Sequence, residues 1–118
     1  GPVRADAARL RLLLRNLLDN AERHGAGAQP PRLFLRRLET GELALGVRDF
    51  GPGVAPEVLP RLAEAFYRPD DARTRAAGGV GLGLHLCRRV AEAHGGRLDV
   101  HNAAPGLQVA MVWRPQAA

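Results

Sequence analysis

No lysine occurs in this 118-residue chain: all 17 basic residues are arginine, set against 12 acids for a net charge of +5. That absence excludes a Walker A loop, which needs a lysine on the phosphates. It also excludes the lysine–glutamate pair of eukaryotic-type protein kinases. The single cysteine, Cys87, rules out an internal disulfide and a cysteine-built zinc site, and suits a reducing compartment. Aromatic residues make up only 4% of the chain, so Leu, Val and Ala must build the core. No apolar run approaches the roughly 20 residues of a membrane span, and no signal-peptide pattern is present. The arginines are scattered among the acids rather than gathered on one face with aromatics between them, which argues against a nucleic-acid surface.

What is present is a normal globular balance, 46% hydrophobic and 25% charged, in a length that suits one domain. Gly1-Pro2 resembles the scar left by a protease, so residues 3–118 are expected to form the domain, as a fragment of something longer. From Arg4 to about His24, Leu10, Leu13, Leu14, Leu17, Leu18 and Ala21 recur at helical spacing, with Arg9, Arg11 and Arg15 on the other side. Asp6 suits the helix start, and Gly25 and Gly27 stop it before Pro30-Pro31. Two strands are predicted over 32–38 and 42–49 around a turn at Glu39-Thr40-Gly41, then a short helix from Pro56 to about Ala65. Residues 67–77 are polar and poorly periodic, as in a loop. "GGVGLGL", residues 78–84, leads into a second long helix over 82–94, ended by Gly95-Gly96. Strands over 97–101 and 107–114 close the chain, the last with Leu107, Val109, Met111 and Trp113 on one face. The order predicts an α+β, two-layer α/β sandwich, with helices on one face of a mainly antiparallel sheet.

Three stretches are able to carry chemistry. In "RNLLDNAERH", Asn16 and Asn20 are four apart and stack on one helix face. Arg23 continues that polar line, and His24 is expected toward the apolar side. Such a set could meet a hard metal and its phosphates, or simply be surface amides. In "VRDFGPGVAPE", Asp49 falls in phase with the apolar face, where an unpaired carboxylate is costly. A ligand amino group could be its partner, with Gly51 and Gly53 allowing close backbone approach; a tight turn is the plainer alternative. "GGVGLGL" lacks the G-x-G-x-x-G spacing, since Leu84 stands where the last glycine should be. A glycine-rich loop opening a helix still offers N–H groups to an anion, or serves only as punctuation.

With these motifs in this order, nearly the whole chain resembles the ATP-binding catalytic domain of a bacterial two-component sensor histidine kinase. That domain belongs to the superfamily of gyrase, heat-shock chaperone and mismatch-repair ATPases and has the Bergerat-type fold. "NLLDNAERH" is similar to the family's N box, "DFGPG" to its first G box, "EAFYR" to its F box and "GVGLGL" to its second G box. The ending "AEAHGGRLDV" and "LQVAMVWRP" is also similar. The resemblance implies ATP and magnesium as ligands, with Asn20 holding the metal and Asn16 supporting it. It places Arg23 at phosphate and His24 beside the nucleotide. Asp49 would accept the adenine amino group, with Gly51, Gly53 and Val54 lining the base pocket. Phe66 and Arg68 would open the lid, and Arg68, Arg73 or Arg75 would reach phosphate. Gly79, Gly81, Leu82, Gly83 and Leu84 would form the lid hinge and the phosphate-side backbone. The lid, about 70–77, is short, and Val80 stands where the family often has Ser or Thr.

Asn16 occupies a place where the family's ATPases resemble one another in carrying a Glu that activates water. An amide has no useful basicity, so the resemblance implies phosphoryl transfer to a protein side chain, by positioning and charge neutralisation. It also implies a cytoplasmic location, an inner-membrane homodimeric parent, a monomeric fragment and, indirectly, a response regulator. The nearest alternative is an anti-sigma-factor-type serine kinase with the same nucleotide fold; from another class, a nucleotide-binding module without catalytic activity is the second. None of His24, His85, His94 and His101 sits in the H-E/D-x-x-x-P context of a phosphoacceptor, so the acceptor histidine is expected outside this chain. Incubation of the chain alone with ATP is accordingly expected to leave no acid-labile phosphate on it, read by radiolabel retention before and after acid.

Overall fold

The computed structural model describes residues 6–65 and 83–115. Helix α1 (Ala7–His24) begins where Asp6 adopts an extended conformation and accepts the Arg9 N–H at 3.1 Å. That carboxylate satisfies one of the free donors of the first turn and sets the start of the helix at Ala7. Strands β1 (Arg32–Arg37) and β2 (Leu43–Arg48) form an antiparallel pair. Gly41 turns the chain between them with φ +91°. A short 3-10 helix (Pro56–Arg61) follows, then α2 (Gly83–Ala93), β3 (Arg97–Asn102) and β4 (Leu107–Trp113). The sheet order is β1-β2-β4-β3, antiparallel throughout.

The short helix expected after Pro56 is a 3-10 segment. Pro60 has no N–H to give to the residue four back and its ring crowds that carbonyl. The bonds that form span three residues, from Val58 to Ala55 and from Leu62 to Leu59.

One face of the sheet carries the core. Leu43, Val47, Leu107, Val109, Met111 and Trp113 pack against Leu13, Leu17 and Ala21 of α1 and against Leu84, Cys87, Val90 and Ala91 of α2. The alternation read from the sequence thus places the four residues of β4 against the helices. The opposite face holds a small cluster of Ala44, Ala110 and Val112, edged by Phe34 and Leu38. Gly46 belongs to that face, where a Cβ would stand 2.7 Å from Ala110 Cα. Leu33 and Leu35 share the helix side of the sheet in register with Val47 and Leu45. They are nevertheless 47% and 64% exposed, because β1 is an edge strand beyond the reach of the helices.

Cys87 is fully buried between α1 and the sheet, its thiol turned to the Leu13 carbonyl at 3.6 Å. Burial pushes the thiol from 9.0 up to about 12, because the thiolate would lose its hydration. The unfolded chain therefore loses this proton first as pH rises. Stability is fully present below about pH 9 and is lost through about pH 12, at about 1.4 kcal/mol per pH unit. Urea midpoints measured from pH 8 to 11 should show this slope in the native chain and lack this component in Cys87→Ala.

Candidate functional site

Asp49 is the buried charged side chain among the described residues, 5% exposed at the end of β2. Its backbone N–H donates to the Leu107 carbonyl at 2.9 Å, extending the β2–β4 ladder by one bond. The return bond departs from the ladder. The Leu107 N–H donates to the Asp49 side chain, to Oδ1 at 3.0 Å. The same oxygen accepts the Gly51 N–H, also at 3.0 Å. The inward carboxylate expected from strand phase is therefore present, and two backbone donors hold it by one oxygen. Its partners are partly those of the plainer turn alternative, yet the bond to Leu107 reaches across the sheet.

The second oxygen, Oδ2, lies against Gly25. A Cβ at Gly25 would collide with Oδ2 and with the carboxyl carbon. Gly25 caps α1, donating its N–H to the Ala21 carbonyl at 2.8 Å. A Cβ at Gly51 would meet the Gly25 backbone at 2.6 Å, and one at Gly27 would strike the Phe50 carbonyl. A Cβ at Gly106 would strike the Asp49 carbonyl. Three backbone segments thus close around Asp49 at distances only glycine permits. Read along the chain, Gly25 and Gly27 have a role only as helix stops. Their spacing to Asp49 becomes meaningful once α1 is laid across the end of β2.

The amides sit on the neighbouring stretch of α1. Asn16 donates from Nδ2 to the Leu12 carbonyl at 2.9 Å, which leaves Oδ1 directed at the start of α2. A Cβ at Gly83 would lie 3.5 Å from that oxygen. The N-terminal end of α2 and the polar line of α1 are therefore adjacent. Asn20 is half-buried, and its side chain makes no hydrogen bond to another described residue. Arg23 pairs with Asp19 at 3.2 Å, a surface contact of little strength. His24 differs from expectation: it is exposed, because the chain turns inward at Gly25 instead. Leu84 sends its side chain into the core, so only its backbone is available at the loop. Phe66, Arg68, Arg73, Arg75, Gly79, Val80, Gly81 and Leu82 lie outside the described residues.

Gly53 has φ +72°, a left-handed conformation that favours glycine. Val54, half-buried, packs on the edge of the core. Its backbone is held by a residue that the sequence did not single out, Asn102 at the end of β3. Asn102 Oδ1 accepts the Val54 N–H at 3.0 Å and Nδ2 donates to the Val54 carbonyl at 2.7 Å. Phe50 turns to the outer face of the sheet, where the Arg48 guanidinium lies 4.5 Å from its ring centre and that of Arg32 5.5 Å. Arg48 also donates to the Ala103 and Pro105 carbonyls at 3.3 and 3.2 Å.

These contacts leave a carboxylate oxygen and a glycine-lined backbone at one end of the sheet, with Asn16 and Asn20 one turn apart on α1. No cluster of three His, Cys, Asp or Glu side chains is present among the described residues. A metal placed here would take oxygens from amides and from a bound phosphate, a set that suits a hard cation such as magnesium. Gly25→Ala should push the Asp49 carboxylate out of its seat while leaving the helices in place. Hydrogen exchange should then show the Gly51 and Leu107 amides losing protection at least tenfold, with Leu13 and Leu17 unchanged.

Residues 5–117 match the family described as histidine kinase-, DNA gyrase B-, and HSP90-like ATPase. Sensor histidine kinase YkoH of Bacillus subtilis is 40% identical over 109 residues, which are 92% of this chain and 23% of YkoH. The chain thus spans about a quarter of that relative's length. Among solved structures, full-length ShkA in complex with AMPPNP superposes with a TM-score of 0.80 at 31% identity, over 98% of this chain and 23% of ShkA. The mycobacterial sensor histidine kinase MprB superposes at 0.76 and 28% identity, over 98% of this chain and 76% of that one. The chain belongs to the histidine kinase-, DNA gyrase B- and HSP90-like ATPase family and is homologous to the sensor histidine kinases.

Proposed function

We propose that this chain binds ATP with magnesium and donates the γ-phosphoryl group to a histidine on a separate dimerisation domain of a sensor kinase. The observation that carries the reading is the buried Asp49 carboxylate, fixed through Oδ1 by two backbone N–H groups beside a glycine seat at Oδ2. A carboxylate anchored in this way presents an acceptor in a set direction, as recognition of an adenine amino group requires. Gly51, Gly53 and Val54 form the backbone next to it.

Farther along α1, Asn16 Oδ1 faces the start of α2, with Asn20 one helical turn away, and the nucleotide would extend its phosphates in that direction. Asn20 would hold magnesium, which neutralises phosphate charge when bound. Arg23 is free to leave its weak pair with Asp19 for a phosphate. The transfer breaks the bond between the γ-phosphorus and the bridging oxygen, leaving ADP, and forms a bond to an imidazole nitrogen of the acceptor. Asn16 is adjacent to that path and cannot take a proton from water, which favours transfer over hydrolysis. The ATPase family and the homology to sensor kinases support the reading, as does the AMPPNP bound to ShkA. The acceptor domain, a homodimeric parent, its inner-membrane location with this domain in the cytoplasm and a response-regulator partner belong to the same proposal.

Asp49→Asn tests the base end. The amide keeps an oxygen for the Gly51 and Leu107 donors but turns an NH2 toward the adenine amino group. Calorimetry of ATP with and without magnesium should show affinity reduced by roughly 10- to 100-fold, as for a lost hydrogen bond to a charged group. Unchanged affinity in a folded variant would remove Asp49 from the base site.

A further inference from the structure

We infer that Asn102 is a positioning residue for the base end of the site, holding Val54 in place through both edges of its side-chain amide. The inference rests on the proposed adenine site at Asp49, Gly53 and Val54, and names a residue outside the motifs that suggested it. Asn102 is the last residue of β3, and its register partner in β4 is Leu107. Leu107 in turn is the residue whose N–H holds the Asp49 carboxylate. One rung of the sheet therefore supports both sides of the base region, the acid through Leu107 and the backbone of Val54 through Asn102.

The contact is specific to asparagine. Oδ1 accepts from the Val54 N–H at 3.0 Å while Nδ2 donates to the Val54 carbonyl at 2.7 Å. One planar amide thus replaces the pair of bonds that a neighbouring strand would make. Aspartate has the shape but no donor for the carbonyl, serine has one short hydroxyl for two partners, and glutamine is a methylene too long for the same geometry.

Gly53 fits the same clamp. Its φ is +72°, and a Cβ there would stand 2.6 Å from Asn102 Oδ1 and 3.2 Å from the Gly106 carbonyl. The Gly106 carbonyl is itself fixed by the Ala103 N–H at 2.9 Å. The loop after Asp49 is thereby laid against the β3–β4 hairpin. Nothing else holds the Val54 backbone among the described hydrogen bonds. Without the amide, Val54 would be free to leave the position it needs to line a base.

The experiment compares ATP binding by calorimetry in the native chain, Asn102→Ala, Asn102→Asp and Asp49→Asn, with hydrogen exchange at Val54. The isosteric Asn102→Asp guards against a fold lost to a cavity, since it keeps the acceptor and replaces only the donor. The inference expects Kd to rise about tenfold in Asn102→Ala, where two exposed hydrogen bonds are lost together, and about threefold in Asn102→Asp, where only the donor is lost. Stoichiometry should stay near one and Val54 exchange should quicken, while Leu13 and Leu17 stay protected. A purely structural role would instead lower the stoichiometry and leave Kd of the folded fraction unchanged, which overturns the inference. Unchanged Kd in the Asn102 variants with binding lost in Asp49→Asn overturns the inference alone. Unchanged Kd in all three overturns the adenine reading and the inference with it.

Discussion

The structure of the site depends on how one buried carboxylate is satisfied. An acidic group taken from water without partners costs several kcal/mol, more than a small domain can leave uncompensated. Asp49 is kept at the end of β2 because Leu107 and Gly51 both donate backbone N–H groups to a single oxygen. Bonds of that kind contribute about 1.5–3 kcal/mol each when the acceptor is charged. The first ties the acid to β4 and the second forms the loop that follows it. The geometry of the loop is thus a consequence of solving the burial of Asp49.

That solution demands space, and glycine provides it. Gly25, Gly51 and Gly106 each bring backbone to where a Cβ would overlap the neighbouring segment. The end of α1, the loop after β2 and the β3–β4 hairpin therefore meet in one place. They come from three distant parts of the chain, yet each is needed for the others to close. Asn102 adds a fourth tie by holding Val54 from the end of β3. The base end of the site stands on the paired end of the sheet. Toward the start of α2 it depends on helix ends instead, with Asn16 facing Gly83.

The sheet itself is asymmetric. Its helix face is closed by two helices only over β2, β4 and the inner side of β3. On β1, Leu33 and Leu35 keep the alternation of a buried strand but remain exposed at the edge. Arginines occupy the other face, where Arg32 and Arg48 flank the ring of Phe50. The Phe50 ring gives Arg48 a surface, and Arg48 bonds the hairpin carbonyls.

The sequence alone determined the elements, the antiparallel sheet with helices on one face, the core residues of β4 and the inward phase of Asp49. Those are periodic or local properties, set by side-chain direction along a helix or strand. The family was also legible, because its four boxes lie in order along the chain. Local pattern overreached at Pro56–Arg61, where the missing N–H of Pro60 gives a 3-10 helix, and at His24, where the inward turn at Gly25 leaves the ring outside. Tertiary structure alone decided that Gly25 and Gly27 seat the loop around Asp49, that Leu107 donates to the acid, and that Asn102 holds Val54. Those contacts join residues about 25 to 60 positions apart, and no local spacing records them, because each distance is set by the sheet register rather than by neighbours in the chain.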